Sequence, residues 1–130
     1  MEFSELLSRA RAVRELAYAP YSKFAVGAAL VTKSGRVFGG CNVENLSFGL
    51  TICAERNAVF AAVAAGEREF SRIAIVADSV TPVTPCGACR QVLAEFGLGL
   101  EVCSANLEGA EFRSTVRELL PRASEGILGT

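Results

Sequence analysis

Histidine is absent from all 130 residues. Without an imidazole, a mononuclear metal centre here has to rest chiefly on sulfur. An excess of basic charge is missing too, since 13 Lys and Arg face 14 Asp and Glu for a net charge of −1. That balance offers no basic stripe to neutralise a nucleic-acid backbone, and no nucleic-acid partner is expected. No apolar run reaches the ~18 residues needed to cross a bilayer, so no membrane partner is expected either. The N-terminus alternates acidic, polar and apolar residues and does not read as a signal peptide, which makes the cytoplasm the expected location. Repeats and low-complexity segments are also lacking, and the length suits one domain over residues 1–130.

What is present begins with five cysteines, an odd number. The close pair Cys86/Cys89 suits a reducing compartment and metal binding better than a disulfide framework. Apolar residues make up 51% of the chain and mean hydropathy is +0.35. Much of that excess is alanine, which a tightly packed core accounts for; the sharper reading, for so small a chain, is apolar surface buried between subunits.

Phe3, Leu6, Leu7, Ala10, Val13 and Leu16 recur at helical spacing and predict a helix over 2–17, ended by Ala19-Pro20. Residues 24–31 and 36–41 read as a hairpin around Lys33-Ser34-Gly35. Gly39-Gly40 marks a kink or a close backbone approach. An alanine-rich helix is predicted over 53–65 with Gly66 as its C-terminal cap. The apolar run 72–77 reads as a central strand. Thr84 as cap and Pro85 as first residue would open a helix running to about 96. Two strands, 100–104 and 111–114, flank the turn Asn106-Leu107-Glu108-Gly109, and a last helix covers about 115–120. This β-α-β-α-β rhythm argues an α/β sandwich around a mixed sheet.

Chemistry concentrates in two motifs, Cys53-Ala54-Glu55-Arg56 and Pro85-Cys86-Gly87-Ala88-Cys89-Arg90-Gln91. Together they offer three thiolates for one Zn²⁺, with Glu55 beside them and free of ligand duty. Three protein ligands leave the fourth tetrahedral position for water, the layout of a catalytic site; a structural zinc takes four. Cys41 or Cys103 is available as a fourth ligand in principle, although both read first as small buried residues. Helix starts favour the thiolate through unpaired N–H groups and the helix dipole. Arg56, and by its motif position Arg90, can donate to the sulfurs and offset the excess negative charge of the cluster. Two residues along a regular helix is about 200° around its axis, away from Cys53, but at a helix start Cys53 can lean back toward the metal while Glu55 projects into a pocket.

The ordered series Tyr18-Ala19-Pro20-Tyr21-Ser22-Lys23-Phe24, Val26-Gly27-Ala28-Ala29-Leu30, Gly40-Cys41-Asn42-Val43-Glu44-Asn45 and the two cysteine motifs is continued by the first helix before it and Leu119-Leu120-Pro121 after it, over essentially the whole chain. It resembles the small cytidine deaminases, within the wider group of zinc-dependent deaminases of bases and nucleosides. The resemblance implies a three-layer α/β/α sandwich with a mixed five-stranded sheet, one Zn²⁺ per subunit and a homotetramer serving pyrimidine salvage. It implies hydrolysis of cytidine and 2′-deoxycytidine by zinc-activated water attacking C4 of the pyrimidine. Cys53, Cys86 and Cys89 would bind the metal, and Glu55 would carry protons from the water to N3 and the leaving amine. By the same resemblance Asn42 and Glu44 bind the ribose, Phe24 packs against the base, the N–H of Ala54 meets O2, and Arg56 supports the sulfurs.

One residue departs from that pattern. Phe48 stands in the segment Asn45-Leu46-Ser47-Phe48-Gly49-Leu50 where tyrosine is expected, which removes a hydroxyl and keeps an aromatic ring. The alternative within the same chemistry is a deaminase of a related aminopyrimidine nucleoside, such as a nucleoside antibiotic, or of a free base. A structural zinc module or a thiol redox protein is the alternative of another class. Residues 123–130 are expected to be ordered only through a neighbouring subunit.

Overall fold

The computed structural model of the chain describes residues 1–123. Its elements run α1 (Phe3–Arg14), β1 (Val26–Thr32), β2 (Val37–Cys41), α2 (Ala54–Ala64), β3 (Phe70–Ala77), α3 (Gly87–Ala94), β4 (Glu101–Ala105), β5 (Glu111–Thr115) and α4 (Val116–Leu119), with a short 3₁₀ turn at Phe48–Leu50. The strands form one sheet in the order β2-β1-β3-β4-β5. Only β3 and β4 are parallel; the other neighbours are antiparallel. The sheet is therefore mixed and five-stranded, as expected.

Side-chain alternation along the strands explains the layers. Ala28, Leu30, Ile73, Ile75 and Val102 face one side and pack with Ala58, Val59 and Ala62 of α2, Leu93 of α3 and Val116 of α4. Ala29, Val31, Ala74, Val76, Cys103 and Ala105 face the other and meet Phe3, Leu6 and Ala10 of α1. The result is the three-layer α/β/α sandwich. Cys103 lies on the α1 side, buried and 3.6 Å from Glu111 Oε1, away from the other cysteines that matter chemically. Burial, with the Glu111 carboxylate second, pushes its thiol up to about 11, so it stays protonated.

The predicted elements hold, with shifts at their ends that have physical causes. The first helix stops at Arg14, three residues early, where Leu16 and Ala17 tighten onto Val13 and Arg14 in 3₁₀ fashion. The third stops at Ala94, where Phe96 and Gly97 bond back to Leu93 and Ala94 in the same way. Gly66 sits at φ 91° and closes α2 with paired bonds, Gly66 N–H to Val63 O and Glu67 N–H to Ala62 O, the Schellman arrangement. Gly40 is a close approach. A Cβ there would lie 2.4 Å from both Ala54 O and Ala58 N, so bare backbone at this position lets the start of α2 rest on β2. Of the expectation for residues 123–130, all but the first residue lies outside the described residues.

Candidate active site

Both helix starts carry a cysteine at the capping position. Cys53 precedes α2 with extended backbone (φ −71°, ψ 156°), and Cys86 precedes α3 in the same conformation (φ −66°, ψ 168°). Neither side chain caps its own helix, which leaves both sulfurs directed elsewhere. Cys89 lies in the first turn of α3 and is fully buried. The three Sγ atoms lie within 4.8 Å of one another, with Cys53 and Cys86 at 3.9 Å. Two sulfurs each ~2.3 Å from a tetrahedral zinc sit about 3.8 Å apart, so the spacing fits that ion. Among the described residues no other set of His, Cys, Asp or Glu gathers in this way, and neither Cys41 nor Cys103 joins as a fourth ligand.

The apparent 200° conflict over Glu55 dissolves in this geometry. Cys53 is outside the helix, so helical phase does not govern where its sulfur points, while Glu55 is the second residue inside. Glu55 is 6% exposed, and burial is the main cause that pushes its carboxyl above the usual carboxylate range; the charge of Cys53 adds to it. In the metal-free cluster a hydrogen bond from Cys89 is the largest cause lowering Cys53, which reaches about 5 with help from Arg56, while Cys89 is raised and keeps its proton. Arg56 Nη2 donates to Cys53 Sγ at 3.2 Å.

A pocket of about 270 Å³ opens beside the thiols. Cys53, Ala54, Glu55 and Cys86 line it together with Phe24, Asn42 and Glu44, and Val26, Ile75 and Val83 add apolar surface. The residues singled out in the sequence for zinc, proton transfer and substrate thus line one pocket except Cys89, which is buried against the other two sulfurs, and Arg56, which donates to Cys53. Ala54 is the first residue of α2, where an N–H has no partner within the helix. Asn42 is buried, and its amide is braced by backbone, taking the Val26 N–H on Oδ1 at 2.9 Å and donating from Nδ2 to Phe24 O at 2.8 Å. Glu44 Oε1 accepts from the N–H groups of Tyr21 (3.0 Å) and Ser22 (3.1 Å), and Oε2 from the Ser22 hydroxyl. Those bonds, the hydroxyl first, hold its carboxyl below the ordinary range.

Three sequence expectations need correction here. Phe24 lies before β1, in the loop that Lys23 turns with φ 60°. Thr84 and Pro85 do not open α3, and Arg90 does not reach a sulfur. Its guanidinium instead donates to Thr84 Oγ1 (2.9 Å), Pro85 O (2.7 Å) and Leu119 O (2.8 Å). The Thr84 hydroxyl is engaged by that arginine, so helix α3 begins after Cys86. Arg90 therefore fastens the Cys86 loop to the end of α4. Arg90→Leu leaves these three acceptors without their donor; urea unfolding should show a loss of about 2–3 kcal/mol, and competition with a chelator a 10–100-fold loss of zinc affinity.

Sequence reasoning missed Ser22, Thr51 and Thr84 as pocket residues. Ser22 and Thr84 each sit inside or next to a quoted motif, but a hydroxyl at an isolated position carries no signal of its own. Phe48, 72% exposed, meets the Tyr21 ring edge-on at 5.9 Å beside an outer cavity that shares Ser22, Glu44 and Thr51 with the pocket. Its aromatic packing survives the loss of the hydroxyl.

Three gathered thiols with a buried carboxyl alongside, on a three-layer α/β/α fold, define a zinc-dependent hydrolase. A family model described as the cytidine and deoxycytidylate deaminase zinc-binding region matches residues 1–105. A cytidine deaminase of Sporosarcina psychrophila is 50% identical over 124 residues, covering 95% of this chain and 91% of that protein. Another, from Halalkalibacterium halodurans, is 52% identical over 124 residues, covering 95% and 94%. The crystal structure of a cytidine deaminase from Burkholderia pseudomallei matches with a TM-score of 0.91 at 54% identity, covering 93% of this chain and 98% of that one. A blasticidin-S deaminase of Bacillus cereus is more distant, at 31% identity over 108 residues. The chain belongs to the cytidine deaminase family.

Proposed function

We infer that the chain hydrolyses cytidine and 2′-deoxycytidine to uridine and 2′-deoxyuridine with release of ammonia. One observation carries this reading: Cys53, Cys86 and the Glu55 carboxyl share a pocket with Phe24, Asn42 and Glu44, and the buried Cys89 sulfur lies within 4.8 Å of the other two. Cys53, Cys86 and Cys89 would hold the zinc. When bound, that ion supplies the acidity that makes water a nucleophile at neutral pH. Glu55 takes the proton the attacking water releases and hands it to N3 of the pyrimidine, then takes the second proton from the new C4 hydroxyl and delivers it to the departing amine, which leaves as ammonia. Its burial favours the proton-bearing form and suits it to both halves of the cycle.

The remaining residues position the substrate. Phe24 packs on the base and the Ala54 N–H meets O2. Asn42 retains one amide proton and one lone pair beyond its backbone bonds, enough to hold a ribose hydroxyl. Glu44, ionised and facing the same pocket, accepts from the sugar. Among the described residues no Lys or Arg lines the pocket or the outer cavity, which supports a nucleoside over a phosphorylated substrate. Arg56 steadies the Cys53 sulfur.

In the cell the reading is one deaminase domain over residues 1–130, acting in the cytoplasm in pyrimidine salvage, with no nucleic-acid or membrane partner. No helix of the described residues is long and apolar enough to cross a membrane. Leu46, Phe48 and Leu50 are 66–78% exposed, and Phe60 of α2 is 48% exposed, which supports burial in a homotetramer. Light scattering on active protein is expected to give the mass of four 13.7 kDa chains; a monomer mass would refute the assembly. Incubating zinc-loaded protein with cytidine tests the activity itself. Equimolar uridine and ammonia are expected, and no turnover by zinc-loaded, folded protein would redirect the reading to an antibiotic nucleoside or a free base.

A further inference from the structure

We propose that Ser22 is a positioning residue for the reaction, its hydroxyl coupling the carboxylate that holds the sugar to the ring that packs on the base. This rests on the roles given above to Glu44 and Phe24. Ser22 Oγ lies between them, donating to Glu44 Oε2 and accepting from the Phe24 N–H at 3.0 Å. A serine hydroxyl has a single proton, so once it is given to Glu44 none remains for substrate. Ser22 therefore acts through its neighbours.

The residue between the two partners shows that this arrangement is imposed. Lys23 is held at φ 60°, a conformation that a side chain with Cβ keeps only where its surroundings fix it. The fixing bonds are Lys23 N–H to Ala19 O at 3.0 Å and the Tyr21 and Ser22 N–H groups on Glu44 Oε1. Asn42 closes the other side by donating to Phe24 O. Phe24 thus has its N–H fixed by Ser22 and its carbonyl fixed by Asn42, and both restraints lead back to the 42–44 segment. Ser22 itself is exposed, so replacing it leaves the core packing untouched.

Steady-state kinetics of zinc-loaded Ser22→Ala, Ser22→Thr and Glu44→Ala with cytidine and 2′,3′-dideoxycytidine test the coupling. Ser22→Ala should raise KM for cytidine about five- to tenfold with kcat within about twofold of wild type. KM for the dideoxynucleoside, which lacks the 2′ and 3′ hydroxyls, should rise less, so the preference for cytidine narrows. Ser22→Thr, which keeps the hydroxyl, should restore both values. An unchanged KM for cytidine, an equal rise for both substrates, or no rescue by threonine would overturn the proposal. If Glu44→Ala narrows the preference while Ser22→Ala leaves it intact, the coupling alone fails. If Glu44→Ala leaves the preference intact, the sugar-binding reading fails and the coupling falls with it.

Discussion

Glu55→Gln is expected to bind a full equivalent of zinc and to turn over cytidine at least about 10³-fold more slowly than wild type. Glutamine keeps the shape and hydrogen-bonding reach of the side chain and cannot take up the proton. Metal content by atomic absorption and turnover by ammonia release separate the two properties. Loss of zinc from a folded Glu55→Gln protein would make Glu55 a ligand and end its assignment as proton carrier. The zinc-free form gives a second readout, whose sign follows from burial. Burial raises the folded-state carboxyl above its unfolded value. The folded chain is therefore favoured while the group is protonated, and that advantage is lost as pH rises through the raised value. As pH rises above the ordinary carboxyl range, zinc-free wild type should lose thermal stability more steeply than zinc-free Glu55→Gln.

Cys89→Ala is expected to abolish stoichiometric zinc binding and, with it, all detectable deamination. Its sulfur is the buried member of the three, and no other Cys or His in the described residues gathers close enough to replace it. Losing a direct ligand should weaken the metal by more than the ~10²-fold that follows loss of a supporting residue. The metal ties the start of α2 to the start of α3, so ligation also contributes to folding. With free zinc at ~1,000 times its dissociation constant, binding stabilises wild type by about 4 kcal/mol, equivalent to upward of about 10 °C in a chain this size. Calorimetry should show that zinc-dependent rise in wild type and no rise in Cys89→Ala. A rise of equal size in the variant would place the metal elsewhere.

The layers of this fold were legible because β1 and β3 alternate strictly. Leu30 and Ile73 point one way, Ala29 and Ala74 the other, and only a sheet covered on both faces buries both sets. The metal ligands were legible because three cysteines in two short motifs leave little freedom once histidine is excluded. Element ends were harder. Thr84-Pro85 has the residue types of a helix start, yet Arg90 engages the threonine hydroxyl through a contact that no local rule anticipates. The Ser22 clasp lay out of reach for the same reason, since its partners sit 22 and two residues away and are brought together by an uncommon backbone angle at Lys23.

The lip of the pocket is joined differently from its floor. Tyr18, Val43 and Ile52 meet through isolated bridges, and segments 18–24 and 42–52 are otherwise held to each other by side chains such as those of Ser22 and Asn42. The thiols and Glu55, by contrast, ride on two helices seated against the sheet, one of them over the bare backbone of Gly40. Heritable change therefore meets unequal resistance across the molecule. A bulkier or differently decorated nucleoside can be accommodated by redrawing the lip a residue at a time, each step leaving a working enzyme. Altering the reaction would mean moving two helices at once, and selection has no gradual path to that.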